Sequence, residues 1–96
     1  MMIVDLIKAT VKKECIDEAV EAMKIQTLQT KEDEGCVLSH VMQSNSDPAV
    51  FYMLIGWENP EAIEKHLKSE HDLAFRDKMD DKMAAPIEIL DWKMLV

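Results

Sequence analysis

Four stretches of the chain carry Ile, Val, Leu and Met with the two-residue alternation of a strand, and the stretches between them carry the three-to-four spacing of a helix. Met2 to Val11 reads as a first strand, with Asp5 and Lys8 on opposite faces because neighbouring side chains alternate. Lys12-Lys13-Glu14 turns the chain. Glu14 to Glu32 is then a long amphipathic helix: Ile16, Val20, Met23 and Thr27, flanked by Ala19 and Ala22, form the buried stripe, and Glu18, Glu21, Lys24 and Lys31 the solvated face. The acidic run Glu32-Asp33-Glu34 lies near the end of that helix, against its dipole, so it must fray or find partners. Gly35 is the stop.

Cys36 to Ser44 is a second strand, whose faces divide as Cys36, Leu38, His40 and Met42 against Val37, Ser39, Val41 and Gln43. Asn45-Ser46-Asp47-Pro48 is a turn by composition, so the second and third strands form an antiparallel hairpin. Phe51 to Ile55 is an uncharged apolar run, the pattern of a strand buried on both faces, and Gly56 and Trp57 end it. Asn59-Pro60 starts a helix, with Asn as cap and Pro at a position whose N–H has no partner in any case. Ile63, His66 and Leu67 share one face of it. Ser69 with Asp72 three residues on has the form of a capping box, so a new helical segment restarts there and carries Phe75, Met79 and Met83 on one stripe. Pro86 ends the helical region, and Ile87 to Leu95 is the last strand.

The order β-α-β-β-α-β is the split β-α-β pattern: an α+β, ferredoxin-like fold with an antiparallel four-stranded sheet and helices on one face. The strands are nevertheless apolar on both faces. Strand three offers Phe51, Met53, Ile55 and Trp57 one way and Val50, Tyr52 and Leu54 the other; strand four offers Leu90, Trp92 and Met94 against Ile87, Ile89 and Leu95. A monomer would leave one such face in water, so a homodimer packed sheet to sheet is expected.

Ninety-six residues make one domain, residues 1–96, with a modest core. Aromatic residues are only 5% of the chain and eight Met supply much of the remaining apolar volume, as core filler or as an adaptable pocket wall. The net charge of −8 argues against nucleic acid and anionic membrane surfaces as partners. No signal pattern precedes the first strand, no apolar run approaches a membrane span, and Cys15 and Cys36 are isolated thiols, so a reduced cytoplasmic setting is expected. Cys36, beside Gly35 at a strand start, reads as a small buried residue or as a reactive thiol.

Strand parity and helix stripe place Trp57, Met53, Phe75 and His66 around one cavity between sheet and helices. An inward His66 is either a general base, at its ordinary pKa of about 6.5, or a core histidine satisfied by a backbone carbonyl. His40 points into the pocket, as a further ligand contact, or at the partner chain; His71, just after Ser69, reads as an exposed helix-start residue. No metal is expected, since His66 and His71 are five apart with a helix break between them and would not converge as an i, i+4 pair does. With two glycines, Gly35 and Gly56, and no Gly-rich turn, no nucleotide, flavin or nicotinamide cofactor is expected.

The aromatic strand followed by W-E-x-x-E-A-I-x-x-H over Trp57–His66, with His71 and Phe75 beyond it, Gly35-Cys36 before the second strand and Pro86-Ile87 before the last, resembles the antibiotic biosynthesis monooxygenase domain family across nearly the whole chain. The resemblance implies a ferredoxin-like fold, usually dimeric. It also implies a range of activities: cofactor-independent oxygenases acting on phenolic or quinol substrates, haem degraders, an isomerase of a phosphorylated signal sugar, and members without known activity. In the oxygenases a base takes a proton from an electron-rich dihydroxy-aromatic and the anion passes an electron to O₂. Trp57 and His66 match the family pattern by position. Ile55 stands where many members carry Glu, and Met53 where antibiotic-tailoring oxygenases carry Asn. The haem degraders' strand-one Asn, helix Trp and helix His are unmatched, with Asp5 nearest the first and His66 and Arg76 at the other two. The expectation is a monooxygenase of a small quinol or phenolic molecule, without cofactor. The alternatives are a non-catalytic dimeric binding or sensing module and an isomerase of a small carbonyl metabolite.

Overall fold

A computed structural model describes residues 2–96. The element order is β1 (Ile3–Thr10), α1 (Ile16–Lys31), β2 (Cys36–Gln43), β3 (Val50–Trp57), α2 (Pro60–Leu67), α3 (Glu70–Met79) and β4 (Glu88–Lys93). Single turns of 3₁₀ helix, Lys13–Cys15 and Asp80–Lys82, precede α1 and follow α3. The sheet runs β2-β3-β1-β4 and every neighbouring pair is antiparallel. This is the ferredoxin-like arrangement that the pattern predicts, with the restart at Ser69 dividing the second helical region into α2 and α3.

The register sets the two faces. Ile7 lies opposite Met53 and Ala9 opposite Phe51, and these residues, with Ile55 and Trp57, face the helices. In α1, Ala19, Ala22, Met23 and Thr27 are buried as the stripe predicts, but so are Gln26 and Thr30, one turn apart on the same side. Thr30 is satisfied within the helix, its Oγ1 donating to the Gln26 carbonyl at 2.8 Å. The core divides in two: Phe51, Met23, Val11 and Met79 gather under α1 and α3, and Ile55, Trp57 and Ala62 under α2.

Strict alternation fails at the start of β2. Cys36 pairs with Trp57 but Leu38 with the next residue, Gly56, so Val37 is an unpaired bulge. The bulge puts Cys36 on the helix side with Ser39 and Val41, not with Leu38, His40 and Met42 as a two-residue period requires. Burial, and after it the negative charge of Asp33, push the Cys36 thiol above its ordinary pKa, which favours the inert, small buried residue over a reactive thiolate.

β4 is covered on neither face. Ile89 is 59% exposed on the helix side, and Leu90 and Trp92 are 44% and 55% exposed on the other. Val50, Tyr52 and Leu54 of β3 are half-buried on that outer face. Among the described residues no helix is long and apolar enough to cross a membrane.

One turn fixes how α1 hands the chain to β2. The Cys36 N–H donates to the Asp33 carbonyl at 3.0 Å, closing a four-residue turn with Gly35 at φ +81°. A Cβ at Gly35 would lie 2.5 Å from the Ala62 Cβ of α2, so glycine is required by conformation and by space. Gly35→Ala is expected to destabilise the protein by about 2 kcal/mol or more, read by urea denaturation. Adding Ala62→Gly should make the pair less harmful than the sum of the two single changes; strict additivity would show that the contact is not the cause.

Candidate functional site

His66 reaches the interior because of three local devices. The Asn59 Oδ1 accepts from the Ala62 N–H at 2.9 Å and Pro60 opens α2, which fixes its start. The 3.6-residue repeat then turns His66 inward at 7% exposure. Finally Ser69 ends one helix and begins the next: its hydroxyl donates to the His66 carbonyl at 2.6 Å and accepts from the Asp72 N–H at 3.3 Å. The Asp72 side chain does not return the cap. It turns inward, and the elbow between α2 and α3 carries His71 and Asp72 to the imidazole of His66.

The result is a buried polar cluster. His66 Nδ1 is 2.6 Å from Asp33 Oδ2 and its Nε2 is 3.2 Å from Asp72 Oδ1. His71 Nε2 is 2.8 and 2.9 Å from the two oxygens of Asp33, and its Nδ1 is 3.0 Å from Gln26 Oε1. Gln26 Nε2 donates to Asp72 Oδ1 at 3.0 Å, and Arg76 Nε lies 3.0 Å from Asp72 Oδ2. Trp57 packs beside this cluster, its ring centroid 4.9 Å from that of His66. The acidic run at the end of α1 is thus paired: Asp33 by the two histidines, and Glu34 by Lys65 at 2.6 Å.

Burial disfavours a charged His66 ring, but the hydrogen bonds and negative charges of Asp72 and Asp33 together outweigh it and hold the pKa above the ordinary value. The two carboxylates therefore favour the protonated ring, and both of its nitrogens are engaged. A histidine at its ordinary pKa with a nitrogen free to take a proton is not what the structure contains, nor is a core histidine held by a backbone carbonyl. Two other expectations change. His71 is not an exposed helix-start residue but a partly buried member of the cluster. His66 and His71 do converge, with ring centroids 5.4 Å apart, because the helix break redirects the chain. Asp33, His66 and His71 each offer a donor atom within 4.8 Å of the others, a group able to hold a metal ion.

The uncovered helix side of β1 and β4 opens a cavity of about 1000 Å³ between the sheet and α2–α3. Trp57, Met53, Phe75 and His66 all line it, as do Asp72 and Arg76. His40 does not: opposite Leu54 on β3, it is exposed on the outer face of the sheet, because a strand residue one place from the inward Ser39 and Val41 must point away from the helices. Asp5 and Asp91, directly opposite each other on β1 and β4, line the cavity. Burial first, and the charge of Asp91 second, raise the Asp5 carboxyl above the usual range, partly offset by His66. Asp33, Gln26, His71 and Asp72 escape a reading of motifs because the turn at Gly35 and the elbow at Ser69 bring them together. Two signals were present: Gln26 is a polar residue one turn from Met23 and Ala22 on the buried side of α1, and Asp33 lies in an acidic run in need of partners.

A four-stranded antiparallel sheet with helices on one face and a cavity between them is the architecture of a known class of small α+β domains. The chain belongs to the antibiotic biosynthesis monooxygenase family, whose sequence pattern matches residues 2–78. It is similar to a structure from Nitrosomonas europaea that carries that name provisionally, at 26% identity and a TM-score of 0.95 over 98% of this chain and 90% of that one. A conserved protein from Methanosarcina mazei shares the fold at 24% identity and a TM-score of 0.90, over 97% and 92%. A Deinococcus radiodurans protein, again provisionally named an antibiotic biosynthesis monooxygenase, shares it at 17% identity and a TM-score of 0.89, over 98% and 93%. None of the curated proteins matches the sequence significantly.

The raised Asp5 carboxyl makes a signed prediction. In the folded chain its protonated form is favoured, so ionised Asp5 costs stability at neutral pH, and the cost fades as pH falls through the raised pKa. Asp5→Asn is expected to stabilise the protein at about pH 7 and to lose that advantage near pH 4, the ordinary carboxylate range. Urea midpoints at the two pH values measure this. An advantage that grows on acidification would reverse the assignment.

Proposed function

We propose that the chain is a cofactor-independent monooxygenase acting on a small quinol or phenolic molecule, and that it works as a homodimer. The observation that carries the proposal is the junction of an apolar cavity with a proton-handling array: Trp57, Met53 and Phe75 wall the space that His66 and Asp72 enter. A ring-shaped substrate fits such walls, and its hydroxyl would meet the polar wall that His66 and Asp72 form. The Asp72 carboxylate accepts the phenolic proton, and His66, in the protonated form that Asp33 and Asp72 favour, holds the negative charge left on the substrate oxygen. His66 keeps its catalytic place, but as the cation that stabilises the anion. The electron-rich anion then reduces O₂. One oxygen atom enters the substrate, the other leaves as water, and the substrate supplies all the electrons.

Oxygen uptake with a panel of hydroquinones tests the proposal. His66→Ala and Asp72→Asn should each lower the rate per folded molecule by about 10²–10⁴-fold, the folded fraction being read by circular dichroism. Equal rates in wild type and His66→Ala would remove His66 from the chemistry. One observation favours a second reading: apolar Ile55 and Met53 line the cavity, where many members of the family carry Glu and the antibiotic-tailoring oxygenases Asn. Binding of a small aromatic without oxygen uptake would therefore support the non-catalytic binding or sensing module, and turnover without oxygen the isomerase.

The homodimer rests on the outer sheet face, where Leu90 and Trp92 continue the apolar surface of Tyr52 and Leu54 and where His40 lies. Leu54→Lys would bury a charge there, at a cost of several kcal/mol. Light scattering is expected to give a dimer for wild type and a monomer or aggregate for the variant. A wild type that is monomeric at micromolar concentration would defeat this part of the proposal.

A further inference from the structure

Hydrogen-bond logic fixes which nitrogens of the buried cluster carry protons for their outer partners. An ionised Asp72 only accepts, so the Gln26 amide nitrogen donates to it and the Gln26 oxygen is left to accept. That oxygen, 3.0 Å from His71 Nδ1, makes Nδ1 the protonated nitrogen of His71. In the same way Asp72 Oδ1, 3.2 Å from His66 Nε2, makes Nε2 the protonated nitrogen of His66. The second nitrogen of each ring, His66 Nδ1 and His71 Nε2, is turned on the same carboxylate, that of Asp33. Two ring nitrogens and one carboxylate thus converge on the same small space.

We infer that Asp33, His66 and His71 form a binding site for one divalent first-row transition-metal ion of the zinc or cobalt type. The ligands are the Asp33 carboxylate, Nδ1 of His66 and Nε2 of His71, which lie within 4.8 Å of one another. Two imidazoles and one carboxylate suit a borderline ion better than calcium or magnesium, which prefer all-oxygen shells. Ligating histidines are ordinarily held by a carboxylate or carbonyl oxygen on the opposite nitrogen, and Asp72 and Gln26, both buried, hold these two in that way. Tetrahedral coordination at about 2.0–2.1 Å needs the present contacts of 2.6–2.9 Å to open by roughly half an ångström. The ion enters from solvent, since the Asp33 and His71 side chains are 19% and 17% exposed and neither lines the large cavity. A fourth position is left for water. The ion joins the turn after α1 to the elbow between α2 and α3.

The inference meets the catalytic reading at His66, because a metal-bound Nδ1 carries no proton and the ion would then supply the positive charge beside Asp72, but its test does not depend on turnover. It is tested by metal binding alone. Chelator-treated wild-type protein is titrated with Co²⁺, followed by visible absorption, and then with competing Zn²⁺. The expected result is one equivalent per chain, ligand-field bands without sulfur-to-cobalt charge transfer, and a Zn²⁺-dependent rise in wild-type Tm. His71→Gln and Asp33→Asn should abolish the bands, and Gln26→Leu should weaken binding by about 10–100-fold. The wild-type Tm measurement does not depend on the variants folding. Folded wild type that takes up no Co²⁺, or variants that bind it as wild type does, would overturn the site.

Discussion

The pairing of His66 with two carboxylates is the interaction on which the rest of this structure depends. The His66 ring, buried between Asp33 and Asp72, satisfies groups that would each be costly alone, and it ties together three separate parts of the chain: the turn after α1, the inner face of α2 and the first turn of α3. Burial opposes the charge on the ring. The two carboxylates at hydrogen-bonding distance outweigh that and favour the protonated ring.

That arrangement also explains why the core is divided. A solid apolar filling would leave no room for Asp72, Gln26 and His66 to meet. Instead one cluster packs under α1 and α3, a smaller one under α2, and the polar residues stand at the cavity between them. The helices lie over β2, β3 and β1, so the helix side of β4 remains open and becomes a cavity wall. The outer side of the same strand carries Leu90 and Trp92 into water. A single edge strand thus relates the two features on which function would rest: a pocket on one side and an apolar face on the other.

Much of this was determined by the sequence alone. The order of strands and helices, the Asn59-Pro60 start, the Ser69 restart, the stop at Gly35 and the shared cavity of Trp57, Met53, Phe75 and His66 follow from period, caps and breakers, which are local rules acting within a few residues. The tertiary structure decided what those rules cannot reach. The bulge at Val37 moves Cys36 to the other face because register depends on the partner strand. His40 faces outward for the same reason of parity, a choice the sequence left open. The proton state of His66 and the place of His71 depend on Asp33 and Asp72, one of which lies 33 residues from His66 in the chain. Spacing along a sequence carries no information about such a meeting: a positive-φ turn and a helix elbow create it, and the electrostatics of the site exist only once they have formed.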